Sequence, residues 1–134
     1  MNDEDRYVMY LVIPTSLKMN MGKTAAAVGH AVMLLERRYR ALKEYLSDMG
    51  SMHNDTSRVY DDWYQMDFPS YAKIVLGASY GEFDEIQVQA AVPFVLVIDR
   101  GFSQVQPNTK TCIGLWPMKK SEAPDIIKKL KPLR

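Results

Sequence analysis

The sequence predicts an α/β fold: a single-domain, three-layer α/β/α sandwich around a mixed four-stranded sheet. Three observations predict it. Tyr7 to Ile13 is a continuous apolar run of β-branched and aromatic residues, which suits a strand buried on both faces. A long stretch of helical periodicity follows it from Lys23. The remaining segments run in the order β-α-(α)-β-α-β-β-α, an order that lays helices on both faces of one sheet.

Each element has its own signal. Pro14 stops the first strand, and Thr15 to Gly22 reads as a loop. In the first helix Val28, Ala31, Leu35, Leu42, Tyr45 and Met49 recur at three- and four-residue steps, with one seven-residue step, while Arg37, Arg38, Arg40 and Lys43 fall mostly between them. That helix runs to about Asp48 and ends at Gly50, a residue suited to a left-handed cap. Ser51 to Ser70 is polar and weakly patterned, with room for a short helix around Val59 to Met66. Ala72 to Ala78 reads as a second strand. Glu82 to Ala91 reads as a short helix with acids in its first turn, where they complement the helix dipole. Phe94 to Ile98 and Thr111 to Trp116 read as strands three and four. Ser121 to Leu130 reads as a closing helix with lysines at its C-terminal end.

The chain has 134 residues, 47% of them apolar and 25% charged, which suits one globular domain over residues 1–134. Net charge is +1, but the charge is unevenly spread. Lys18 to Glu44 carries six basic residues against Glu36 and Glu44, and Lys119 to Arg134 carries six against Glu122 and Asp125. Asp55 to Glu85 reverses the balance, with seven acids against Arg58 and Lys73. The lone Cys112 excludes an internal disulfide framework and a multi-cysteine zinc site. Two histidines, His30 and His53, are too few for a metal centre without carboxylate ligands, and no metal is expected. Met1 to Arg6 lacks the charge layout of a secretory signal. The longest apolar run, Ala90 to Ile98, contains Pro93 and is far short of a membrane span. These features predict a soluble, cytoplasmic protein.

Three places hold chemistry-bearing residues. The loop Leu17-Lys18-Met19-Asn20-Met21-Gly22-Lys23 leaves a buried strand and enters a helix. Free N–H groups at a helix start attract anions, and Lys18 and Lys23 add point charges suited to phosphate, although two solvated lysines are an equally simple reading. It is no nucleotide-binding P-loop, because position 17 is Leu where a glycine is required. Asp99 follows the strand Phe94 to Ile98, where a carboxylate acts as a base, orients water, or caps the Asp-Arg-Gly turn. Ser103 and Gln104 lie within reach of the same loop, and no Gly-x-Ser-x-Gly elbow accompanies them. His30 sits on the first helix among apolar residues, a setting more typical of a buried, hydrogen-bonded core histidine. Trp63 and Trp116 suit either base stacking or core packing.

At these same residues the sequence resembles the type 2 peptidyl-tRNA hydrolase family over nearly its whole length. One block is Leu17-Lys18-Met19-Asn20-Met21-Gly22-Lys23-Thr24-Ala25-Ala26 through His30-Ala31, similar to the family's Leu-Lys-Met-Gly-Lys-Gly-Lys loop and the Ser-His-Ala beyond it. The other is Asp99-Arg100-Gly101-Phe102-Ser103-Gln104 with Pro107, Thr111, Gly114 and Pro117, similar to the family's Asp-Ala-Gly-Arg-Thr-Gln and the ladder that follows. The resemblance implies hydrolysis of the ester joining a peptide to the 3′ end of tRNA, without cofactor or metal, by a protein commonly found as a homodimer. It implies catalytic roles for Lys23, Asp99 and Ser103 and substrate contacts from Lys18, His30 and Gln104; Arg100, where the family has alanine, restores a charge near the arginine lost at Phe102 and is expected to contact substrate too. The basic residues of the first helix and of the C-terminus would track the tRNA backbone.

The sequence departs from the pattern at several positions. Met21 replaces a lysine, Phe102 an arginine, Arg100 an alanine and Ser103 a threonine, while Pro14 and Ser16 stand where Arg and Asp are usual. Losing two cations weakens phosphate binding, which motivates a second reading, a binding adaptor for RNA or protein that has lost catalysis. A third is a hydrolase of some other small ester or amide.

Overall fold

The computed structural model describes residues 2–65, 71–101 and 106–134. Six strands form one mixed sheet: β1 (Tyr7–Pro14), β2 (Lys73–Ala78), β3 (Phe94–Asp99), β4 (Thr109–Leu115), β5 (Met118–Lys119) and β6 (Lys131–Pro132). The order is β3-β4-β1-β2-β6, with β5 also paired to β1. β1 and β2 run parallel, and β3 and β4 are antiparallel in the register Phe94 to Leu115 through Asp99 to Thr109. The four strands expected from sequence are all present. The two additional ones are two-residue pairings, β5 on β1 and β6 on β2, too short to leave a periodic signal.

β1 is central, and its alternation divides the core in two. Val8, Tyr10 and Val12 face a cluster with Phe83, Ile86, Ile126 and Ile127. Met9, Leu11 and Ile13 face the opposite cluster with Ala27, Ala31, Leu35, Tyr60 and Trp63. The first cluster is covered by α3 (Tyr80–Gln89) and α4 (Asp125–Lys128), the second by α1 (Met21–Asp48) and α2 (Asp55–Gln65). The α/β/α layering thus follows from a strand that is apolar on both sides.

α1 begins at Asn20, whose side chain accepts from the Lys23 amide at 2.8 Å, and Gly50 takes φ 78° just beyond its end. α1 lies chiefly on β3 and β4, close against Gly114. A Cβ at Gly114 would stand 3.0 Å from Leu35 Cδ1 and 3.1 Å from both Ala31 Cβ and Val95 Cγ2. Gly114→Val is therefore expected to lower stability by about 2 kcal/mol through overpacking, seen as a Tm lower by roughly 6–8 °C in thermal denaturation. Cys112, on the same strand, is fully buried, and burial pushes its thiol up to about 12.

α2 is longer than the sequence indicated and starts earlier. Asn54 and Ser57 exchange side-chain-to-backbone hydrogen bonds at its start, at 2.8 and 2.9 Å. It docks on α1 through Tyr60, which donates to Glu36 at 2.7 Å, and through Asp61, which accepts from Tyr39 and Lys43. The closing helix is a correction. Ser121 to Leu130 is not continuous: a 3₁₀ turn, Lys120–Glu122, is followed by a single helical turn, Asp125–Lys128. Pro124 causes the break, because it biases Ala123 toward extended backbone (ψ 135°) and then caps the short turn itself.

Candidate active site

β1, β2 and β3 all end at the same edge of the sheet, and α1 begins there. Loops at strand C-terminal ends are where open α/β sheets gather ligand-binding residues. The chain leaves β1 through a 3₁₀ turn, Thr15–Leu17, and then Lys18 adopts a left-handed conformation (φ 51°, ψ 40°), its amide donating to Thr15 O at 3.1 Å. A lysine has no local side-chain hydrogen bond to favour that region, so Lys18 is held there by the turn. Its side chain stays exposed. Lys23 follows on the first turn of α1.

Lys23 Nζ forms a charge-assisted hydrogen bond with Asp99 Oδ2, joining α1 to the end of β3. The two residues are 76 positions apart in sequence, and their side chains are only 14% and 9% exposed. The other carboxylate oxygen accepts from the Gly101 amide at 2.6 Å, and the Asp99 carbonyl accepts from the Asn108 amide, also at 2.6 Å. Asp99 therefore caps the turn, as one of its sequence readings has it, and also pairs with Lys23, which the sequence does not indicate. Gly101 sits at φ 87° against Pro107, in space that admits no side chain. A carboxylate fixed by a backbone amide and facing an ammonium, both near the protein surface, is equipped to orient water and to stabilise a developing oxyanion.

Of the other candidates, Lys18 and Arg100 are exposed near this edge. His30 is exposed on α1, seven residues after Lys23 and so on a similar side of the helix, and it is not the buried core residue that its neighbours suggested. Ser103 and Gln104, with Phe102, lie outside the described residues. Trp63 and Trp116 are core residues at 2% and 6% exposure; their indole N–H groups donate to Ala72 O (2.8 Å) and Thr56 O (2.9 Å). They are not a base-stacking platform. Among the described residues no group of three His, Cys, Asp or Glu side chains is arranged to hold a metal ion, and no helix is long and apolar enough to cross a membrane.

Three site contributors were not singled out from sequence. Asn20 fixes the helix start beneath Lys23, Gly101 aims Asp99, and Asn108, at φ 64°, closes the turn. Asn three positions before Lys23 is a recognisable cap signal, and Pro107-Asn108 is a turn signal, since Asn tolerates the left-handed backbone it adopts here.

The profile of the family described as peptidyl-tRNA hydrolase PTH2 matches residues 7–133. The chain belongs to the peptidyl-tRNA hydrolase PTH2 family. Relatives named peptidyl-tRNA hydrolase include one from Thermoplasma acidophilum, 32% identical over 129 residues that cover 93% of this chain and 97% of the relative. One from Saccharolobus islandicus is 30% identical over 115 residues, covering 81% and 84%, and one from Saccharolobus solfataricus is 28% identical over 131 residues, covering 93% and 98%. Within this PTH2 chain, the two motif blocks that carried the resemblance, Leu17 to Ala31 and Asp99 onward, meet in space through the Lys23–Asp99 pair.

The expected basic face is divided by the fold. α1, with Arg37, Arg38 and Arg40, covers one side of the sheet, and α4, with Lys128 at its end and Lys129 just beyond, covers the other. Several of these cations also have structural partners: Arg38 donates to Phe94 O at 2.6 Å on the outer strand β3, Lys43 pairs with Asp61, and Lys129 pairs with Glu85. Arg40 pairs with Glu36 at 3.2 Å as well, so Arg37, with Lys18 at the site edge, is what the described residues of this side offer a polyanion most directly.

Proposed function

We propose that this chain hydrolyses the ester joining a nascent peptide to the 3′ end of tRNA and so returns tRNA from stalled translation. One observation carries the proposal: the family's lysine and aspartate motifs converge in this chain as a half-buried, amide-oriented Lys23–Asp99 pair. Asp99 positions a water molecule and takes its proton as the water oxygen attacks the ester carbonyl. Lys23 stabilises the negative charge that builds on the carbonyl oxygen. When the tetrahedral intermediate collapses, the bond to the ribose oxygen breaks and that oxygen receives the proton from Asp99. The peptide's carboxylic acid and tRNA are the products, and the acid then releases its proton to solvent. Ser103 extends the hydrogen-bond chain to the water, while Lys18, His30, Arg100 and Gln104 contact the substrate.

An ester is reactive enough for this chemistry to proceed without a metal, and the protein acts as one domain over residues 1–134, in the cytoplasm, as a homodimer. Sedimentation at micromolar concentration tests the dimer. With Met21 and Phe102 in place of two cations, few phosphates are neutralised, so the salt slope of tRNA affinity is shallow. The test of the activity is incubation of N-acetyl-aminoacyl-tRNA with purified protein in excess chelator. Release of N-acetyl amino acid and deacylated tRNA is the expected result. Release that depends on added divalent metal overturns the metal-free mechanism, and no release under any condition overturns the activity.

A further inference from the structure

A groove of about 610 Å³ opens on the other side of the first turn of α1 from Lys23. Its origin is architectural. α1 lies chiefly on β3 and β4, and α2 packs on β1 from residues as far down that strand as Tyr7 and Met9. Among the described residues, the upper part of the β1–β2 pair on this face is walled by the β1–α1 connection, by the start of α1 and by the C-terminal residues after β6. Ile13 and Val75 lie along the sheet side, Val28 and Met21 along the helix side, and Leu133 closes the far side. Leu133 is held there by its amide, which donates to Val75 O at 2.9 Å. Met21 is 88% exposed, an unusual state for a large apolar side chain.

We propose that this groove binds the peptide portion of the substrate, taking apolar side chains of the third and fourth residues back from the ester; the proposal rests on the hydrolase reading above. Three observations select that occupant. Met21 and Thr24 line the groove while Lys23, between them in the same helical turn, reaches Asp99, so groove and pair are separated by about one helix width, ~10 Å. Two to three residues of extended peptide span that distance. The lining is mostly apolar, eight of its twelve residues, with Thr15, Thr24, Lys18 and Arg134 as its polar members, which suits apolar side chains better than a run of phosphates. Among the described lining residues there is no aromatic ring on which a nucleobase would stack. Volume and composition fit a short apolar peptide segment, and the flexible methionines Met19 and Met21 adapt to different side chains. Such a site prefers apolar peptides without demanding one sequence, as suits an enzyme that meets nascent chains of every composition.

The experiment compares kcat/KM for N-acetyl-Leu-Leu-Gly-Gly-tRNA and N-acetyl-Gly-Gly-Gly-Gly-tRNA, which share the same ester and the same tRNA, with wild-type protein, Ala25→Trp and Val28→Thr. Ala25 is an exposed groove residue, so Trp there fills the groove without entering the core; Val28→Thr keeps shape and adds a hydroxyl. Wild type is expected to favour the leucine-containing substrate by about 10–100-fold. Ala25→Trp reduces that ratio to near one, and Val28→Thr lowers it several-fold. Equal rates for the two substrates in wild type overturn the groove assignment and leave the hydrolase reading standing. A ratio that survives in both variants does the same. Variants that slow both substrates equally, ratio unchanged, identify the groove with the tRNA end instead. If wild type cleaves neither substrate, the hydrolase reading fails and this inference falls with it.

Discussion

Lys23→Met is expected to lower single-turnover ester cleavage by about 10²–10³-fold, the usual loss on removing one donor to a developing oxyanion. The same change lowers stability by roughly 2 kcal/mol, because the Asp99 carboxylate, 9% exposed, loses the ammonium that compensates its desolvation. The two effects are separable. Stability is read from chemical denaturation and rate from quenched-flow cleavage at a temperature where the variant is fully folded. A variant that is destabilised but cleaves at the wild-type rate would make Lys23 a structural partner of Asp99 and remove it from the chemistry.

Gly101→Ala is expected to damage the site without touching an ionisable group. A Cβ at this position would stand 2.6 Å from Pro107 Cγ and 3.1 Å from Pro107 Cα, on a backbone at φ 87°. Either the turn opens or Asp99 moves with it, since the Gly101 amide holds Oδ1. The expected cost is about 2–3 kcal/mol of stability. An Asp99 displaced by even 1 Å loses about 10²-fold in rate. Wild-type stability together with wild-type cleavage in Gly101→Ala would show that the turn does not position the carboxylate.

The fold was largely legible because its signals are strong and local. β1 is apolar on both sides and is stopped by proline, α1 has a long stripe and a glycine after its end, and both readings hold to within two residues. α2 was blurred because its buried residues are Ser57, Tyr60 and Trp63, and a buried serine satisfied by Asn54 breaks an apolar stripe. The closing helix was overread because Ile126, Ile127 and Leu130 have helical spacing while Pro124 sits inside the proposed span. β5 and β6 exist only through tertiary pairing.

The site was legible in part. Lys23 and Asp99 could be named, but their contact across 76 positions is a product of topology, in which β3 runs parallel to β1 and ends beside the start of α1. His30 was misjudged physically, because its apolar neighbours Ala27 and Ala31 face the sheet while His30 itself faces solvent. The loss of cations at Met21 suggested an adaptor without catalysis. Nothing in the structure or among the relatives favours that reading, and Met21 instead lines the apolar groove.

The most direct test of the central claim is single-turnover cleavage of an N-blocked aminoacyl-tRNA at low salt with chelator present, wild type beside Asp99→Asn. Asn keeps the shape of the turn and can still accept from the Gly101 amide, but it cannot take a proton from water. Wild type is expected to cleave, and the variant to be slower by about 10²–10⁴-fold, measured where it is fully folded because the unpaired Lys23 ammonium costs about 1–2 kcal/mol of stability. Cleavage by Asp99→Asn at the wild-type rate, or a folded wild type that leaves the ester intact, would contradict the assignment of this pair as the hydrolytic centre.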